Sequence, residues 1–268
     1  MFVCLLFVAP LLSLVLYRNA YSYFYPYITP TLAVVAAIGA YKAMQVKWLM
    51  VSVVIVMFSS SISQILYYST LKQDAQIQLI SAVKYLFPKR VSYIDRNGII
   101  PSYSKKGFFM SSWGVENYRK SEKAVFESIL KENSPPLLIA NAPALVAALY
   151  NYDDYTECCG LLQEDVNALK QNYIPYWGHI WVAGKRLELK NESMELEFLI
   201  AGMYRLEGDG PVMVNNSVLS PGGTMEISSG TQTIYSETLQ TVQLVLALPA
   251  RPNVAPSNQP VFSGFRSL

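Results

Sequence analysis

Two adjacent carboxylates, Asp153 and Asp154, lie in the acidic and phenolic segment Asn151–Glu157. Paired carboxylates can hold a divalent cation, or one can act as a general acid while the other acts as a base. Neighbouring carboxylates also occur on loops simply because they keep the loop in water. The segment therefore predicts either a divalent-cation or acid–base site or a solvated loop.

His179 is the only histidine in the chain. An imidazole can serve as a general base near neutral pH, but no serine or cysteine partner is indicated, and a packed histidine is the alternative. Cys158 and Cys159 are adjacent, so they lack both the separation that a disulfide needs and the spacing of metal ligands. We therefore expect no protein-bound metal site built from these residues.

Two segments combine aromatic with basic or polar residues. In the first, Lys105 and Lys106 could meet a phosphate while Trp113 stacks on a sugar ring; a surface loop with a buried aromatic side chain is the alternative. In the second, Tyr176 and Trp177 could contact a sugar or pack against a sheet. The five residues are candidate sugar contacts.

Arg18 precedes a segment rich in tyrosine that is typical of a membrane interface. Its guanidinium has the geometry to bind the phosphate of a lipid through two hydrogen bonds. A plain anchor whose charged end reaches the headgroup region is the alternative.

Three apolar runs dominate the first 70 residues and predict transmembrane helices at about residues 2–17, 24–44 and 48–68. A bilayer core of about 30 Å needs about 20 apolar residues, so the third run is long enough and the first is short. The first run lacks the charged start and small-residue cleavage site of a secretory signal, which favours a retained span. Lys42 and Lys47 predict a cytoplasmic loop between the second and third runs. We expect a multi-pass protein of the inner (cell) membrane with an extracytoplasmic C-terminal part.

The sequence after residue 70 predicts two folded segments and a tail. Residues 71–180 alternate short apolar strands with helical segments, which is typical of an α/β domain. Residues 181–250 contain short alternating strands separated by turns, which favours an antiparallel β-sandwich. Residues 251–268 are rich in proline and serine and predict a flexible tail. The expected fold class is thus a membrane-anchored α+β protein: about three transmembrane helices, a small α/β layer and a β-sandwich.

The charge of the chain excludes one class of partner. Its formal net charge is +2, and no stripe of lysine and arginine of the kind that follows phosphates is present. We therefore expect no nucleic-acid partner.

The run LLSLVLYRNAYSYFYPYITPTLAVVAA resembles the late membrane segment of bacterial polyprenyl-phosphate-dependent glycosyltransferases of the GT-C architecture, which include relatives of protein mannosyltransferases and aminoarabinose transferase. In that group a stretch like Tyr17–Ala20 precedes aromatic residues, a proline and a further span. The resemblance implies a lipid-linked sugar donor and an extracytoplasmic acceptor. The group carries its catalytic carboxylate in an early outer loop, whereas this chain has no acidic residue before Asp74.

Two hypotheses follow. In the first, the chain is the C-terminal membrane and periplasmic part of such a transferase, inactive alone and completed by other membrane subunits. In the second, it is a non-catalytic, membrane-anchored module that binds a glycan or a protein. Membrane lipid is a partner in both hypotheses.

Overall fold

The computed structural model describes residues 25–43, 46–70, 74–107, 112–150 and 160–257 of the chain. The chain divides into two compact units, one formed by Met1–Lys72 with Ser263–Leu268 and the other by Gln73–Phe262. Seven α-helices and twelve β-strands lie in the described part. All of the strands belong to the second unit.

The first unit contains two helices, α1 (Tyr25–Ala43) and α2 (Lys47–Thr70). They coincide with the second and third apolar runs, and the first run, residues 2–17, lies outside the described residues. Within the ranges that the structure describes, no helix is both long enough and apolar enough to cross a membrane.

Judged on these residues, the predicted membrane-anchored fold class is wrong. The composition of the two helices supplies a physical reason, because a span needs about 20 consecutive apolar residues. In α2 the apolar residues give way after Phe58 to a group that contains four serines and Gln64. In α1 Pro30 lies inside the helix, and the last turn contains Lys42.

The second unit is built on an eight-stranded mixed sheet. Its strands are β1 (Ser92–Ile94), β2 (Ser104–Lys105), β3 (Leu137–Ile139), β4 (Tyr173–Trp177), β5 (Ile180–Lys190), β7 (Gly202–Glu207), β10 (Thr224–Ile227) and β12 (Leu239–Leu246). The strand order is β10-β7-β12-β5-β3-β1-β2, and β4 also pairs with β5. β1 is parallel to both β2 and β3, and the other pairs are antiparallel.

A smaller antiparallel sheet and five helices complete the described part of the unit. The sheet has the order β6-β11-β8-β9, formed by β6 (Met194–Phe198), β8 (Val212–Val214), β9 (Ser217–Leu219) and β11 (Gly230–Tyr235). The helices are α3 (Asp74–Leu86), α4 (Ser112–Ser121), α5 (Phe126–Asn133), α6 (Pro143–Tyr150) and α7 (Gln163–Asn172).

Alternation along β3 and β5 separates two cores on opposite faces of the large sheet, because successive side chains of a strand point to opposite sides. Leu137 and Ile139 join the core that includes the apolar face of α3. Leu138 joins the core that includes residues of α5, α6, α7 and the smaller sheet. One face of the large sheet is therefore covered partly by helices and partly by a second sheet.

The predicted boundary between an α/β layer and a sandwich, at residue 181, falls within β5, which pairs with strands of both segments. Its first part, Ile180–Ala183, pairs with β3 and β4. Its second part, Gly184–Lys190, pairs with β12. The position where the sandwich was predicted to begin lies inside one continuous strand.

A buried aspartate joins α7 to the start of α5. Val125, the residue before α5, carries no side-chain oxygen that could cap the helix. The Asp165 carboxylate of α7 accepts hydrogen bonds from the Val125 amide at 2.9 Å and the Phe126 amide at 2.7 Å. It also accepts one from the Tyr118 hydroxyl at 2.5 Å. Asp165 is fully buried, so these bonds compensate its loss of hydration and provide the cap from another helix.

We expect Asp165→Asn to lower the free energy of unfolding by about 2–3 kcal/mol, because the amide nitrogen faces donors and part of the cap is lost. Urea denaturation followed by circular dichroism measures the change. The matched control is Asp209→Asn at an exposed turn, where we expect a change below about 0.5 kcal/mol. Equal losses in the two variants would contradict the capping role.

Candidate functional site

Several of the predicted site residues cannot be placed. Arg18, Asp153 and Asp154 lie outside the described residues. Trp113 lies in the first turn of α4, but its side chain is outside the described part. The lipid-phosphate and divalent-cation predictions that rest on these residues stay predictions.

Lys105 lies where the parallel strands β1 and β2 end. Its ammonium donates to the Arg96 carbonyl at 3.0 Å, in the turn that follows β1. Burial lowers the pKa of Lys105, and the nearby Asp95 carboxylate opposes this shift. Asp95 is itself buried and accepts bonds from the amides of Gly98 and Ile99, so this group stabilises a turn. Lys106 is half-buried, and its backbone amide donates to the Tyr93 carbonyl.

His179 lies at the same edge of the sheet, in the turn between β4 and β5. Its Nδ1 is 3.0 Å from the Ala140 carbonyl, and its own carbonyl accepts a bond from the Ala140 amide. Asn141 follows on the chain, and its side-chain oxygen accepts a bond from the Arg96 amide at 3.0 Å. The structure thus brings Lys105 and His179 to one edge, where both contact backbone carbonyls.

Tyr176 and Trp177 contact the chain's own C-terminal segment Pro249–Ser257, which we call the strap. Tyr176 Oη donates to the Pro249 carbonyl at 2.8 Å, and Trp177 Nε1 donates to the Val254 carbonyl at 3.1 Å. Both side chains are buried. The segment that the sequence predicts as the start of a flexible tail is therefore held against β4 as far as Ser257.

A groove of about 650 Å³ opens on the other face of the large sheet, at the seam where helices α5 and α7 meet strand β6. Part of β5 forms its floor. Among the residues that the structure describes, four carboxylates line it: Glu127, Glu164, Glu195 and Glu197. Three basic residues of the described part accompany them, Lys170, Lys185 and Arg186, and alternation along β5 turns the Arg186 side chain to the face opposite Lys185. Three amides complete the polar lining: Asn167, Gln171 and Asn172.

Ionic contacts bridge this seam. Lys131 of α5 pairs with Glu127 at 2.7 Å on its own helix and with Glu197 of β6 at 3.5 Å. Ser134, just after α5, donates to the Leu199 carbonyl at 3.4 Å. These contacts hold the helical side of the groove close to its strand side.

Lys185 is the buried cation of the groove, with 8 % of its surface exposed. Its ammonium donates to the Gln171 carbonyl at 2.9 Å and to the Asn172 side-chain oxygen at 3.2 Å, and it lies 5.2 Å from the centre of the Phe198 ring. Burial lowers the pKa of Lys185 to about 8, and the Glu197 carboxylate opposes the shift. This single side chain joins the end of α7 to β5 and to the end of β6.

The sequence analysis missed this groove. The charges of α7 and β6 are typical of ordinary solvated faces, and they come together only through tertiary packing. One signal was available: Lys185 follows Gly184 in a strand that alternates, and its position in that strand is a buried one.

No family model, no curated protein and no solved structure matches the chain.

The Lys185 environment predicts a pH dependence. The pKa of Lys185 is about 8 in the folded protein against 10.5 ordinarily. Between these values the unfolded chain binds more protons at this position, so the contribution of Lys185 to stability rises with pH. We expect the unfolding free energy of the native chain, relative to Lys185→Met, to rise by about 2–3 kcal/mol from pH 8 to 10.5.

Urea denaturation at several pH values measures this difference. Lys190→Met on the same strand is the control, because Lys190 is exposed and its variant should follow the native pH profile. A Lys185→Met profile parallel to that of the native chain would show that the ammonium is not desolvated.

Proposed function

We propose that the Gln73–Phe262 unit binds a glycan, without catalysing a reaction on it, in the groove between α7 and β6. The observation that carries the proposal is the mixture of donors and acceptors around one cavity of about 650 Å³. This volume lies within the range of about 300–1,000 Å³ that is usual for ligand sites.

The chemistry of the lining favours a saccharide. Each sugar hydroxyl is both a donor and an acceptor, so a surface that interleaves carboxylates with ammonium and amide groups satisfies it in either sense. The carboxylates of the lining outnumber its cations Lys170 and Lys185, which disfavours a strongly anionic ligand such as a nucleic acid. Leu196, which is half-buried, adds apolar surface against which the C–H face of a sugar ring can pack.

Binding rather than chemistry is proposed because the groups in the groove are engaged with one another. Two of the carboxylates, Glu127 and Glu197, contact Lys131. Both described hydrogen bonds of the Lys185 ammonium go to the end of α7. The transfer of a sugar from a polyprenyl phosphate by this protein stays a prediction. The extracytoplasmic location of its C-terminal part also stays a prediction. The resemblance of the N-terminal runs to enzymes that use lipid-linked sugars supports the choice of a saccharide as the ligand class.

The test begins with the purified full chain on an array of neutral, acidic and amino oligosaccharides, followed by calorimetric titration of a retained glycan. We expect Lys170→Ala and Glu195→Gln each to weaken binding about tenfold, the loss of about 1.4 kcal/mol from a charged hydrogen bond.

The matched controls are exposed residues outside the groove lining. Lys190→Ala removes an exposed lysine of β5, and Glu226→Gln lies on β10; both should bind within about twofold of the native chain. The proposal would be contradicted if the chain bound no glycan on the array, or if the groove and control variants bound with equal affinity.

A further inference from the structure

The strap contains no helix or strand, yet side chains from α3 and β4 hold its backbone. Besides the bonds from Tyr176 and Trp177, Gln78 of α3 pairs with the strap twice. Its Nε2 donates to the Ala255 carbonyl at 2.9 Å, and its Oε1 accepts from the Ser257 amide at 3.1 Å. We call the surface formed by Gln78, Tyr176 and Trp177 the ledge.

In the middle of the strap the contacts are made to backbone and proline rather than to the side chains of Asn253 and Val254. Asn253 and Val254 are exposed, Val254 by 62 %, whereas Pro252 and Pro256 are half-buried. Gly178, which follows Trp177, has φ +52°, and a Cβ there would lie 2.7 Å from Pro256 Cβ. Any larger residue at 178 would be strained and would also collide with the proline.

A charged contact at one end of the strap distinguishes that end from the other. The Arg251 guanidinium lies 5.1 Å from the centre of the Tyr176 ring and 3.9 Å from a carboxylate oxygen of Glu207. Arg205 holds the other oxygen of Glu207 at 2.8 Å. Because Arg251 lies near one end of the strap and Pro256 near the other, the two ends are recognised by different chemistry.

We propose that the ledge is a peptide-binding site for an extended segment that contains Arg-Pro followed four residues later by a second proline, and that the strap is its resident, releasable ligand. Aromatic side chains that donate to the carbonyls of a proline-containing segment are a common basis of peptide recognition, since such a segment loses little entropy on binding. The partner is therefore another polypeptide with this pattern, which competes with the strap. This site lies on the α3 side of the large sheet, away from the proposed glycan groove.

The test uses a chain that ends at Leu248 and a fluorescein-labelled peptide of residues 249–257, with fluorescence polarisation as the measurement. The shortened chain should bind the peptide saturably. The full chain should bind it at least about tenfold more weakly, because a tethered ligand acts at an effective concentration of the order of millimolar.

Altered peptides test what is recognised. The peptide with Pro252→Ala and Pro256→Ala should lose at least about tenfold in affinity, whereas the Val254→Asp peptide should bind like the native one because that side chain is exposed. Absence of binding by a shortened chain that is folded by circular dichroism, or equal binding of all peptides, would overturn the proposal.

A second measurement decides the matter if the shortened chain does not fold. Hydrogen exchange of the full chain reports the protection of the strap amides, above all that of Ser257. Gln78→Ala should accelerate exchange of the strap at least about tenfold, and Ile77→Ala, an exposed neighbour on α3, should not. Unchanged protection in Gln78→Ala would refute the ledge as the element that holds the strap.

Discussion

The pairing of β5 with three strands is the constraint on which the second unit depends. Its first part lies between β3 and β4, and its second part pairs with β12. Because one strand pairs with both the mixed and the antiparallel parts of the sheet, its register fixes the alignment of both parts. A shift of β5 by one residue would move every one of its side chains to the opposite face. The helical cover and the sheet cover therefore lie on a single continuous surface.

The groove is a consequence of covering one surface with two kinds of element. Helices α5 and α7 and the sheet that begins at β6 cannot close fully against each other above β5. The Lys185 side chain projects from β5 at this seam. Its bonds to Gln171 and Asn172 and its contact with the Phe198 ring join β5 to α7 and to β6. The same side chain thus contributes to the architecture and to the polarity of the groove floor.

Local patterns predicted much of the secondary structure and little of the tertiary arrangement. Helical segments alternating with short strands were predicted over residues 71–180, and helices α3 to α7 lie there with strands β1 to β4. Short strands separated by turns were predicted over residues 181–250, and strands β6 to β12 lie there. The partners of these strands were not predictable, because register between distant segments leaves no local period. Tyr176 and Trp177 show the same limit: their composition favoured a contact, but the contacting strap lies more than seventy residues away in the chain.

The central position of β12 has a consequence for biosynthesis. This strand is the last in the described chain, and it lies between β5 and β7 in the interior of the sheet. Translation proceeds from the N-terminus at about 5–20 residues per second, so β5 and β7 exist for several seconds before their shared neighbour is made. During that interval the nascent polypeptide presents two open hydrogen-bonding edges, which are the surfaces that promote aggregation. The sheet can close only after the ribosome has passed Leu246.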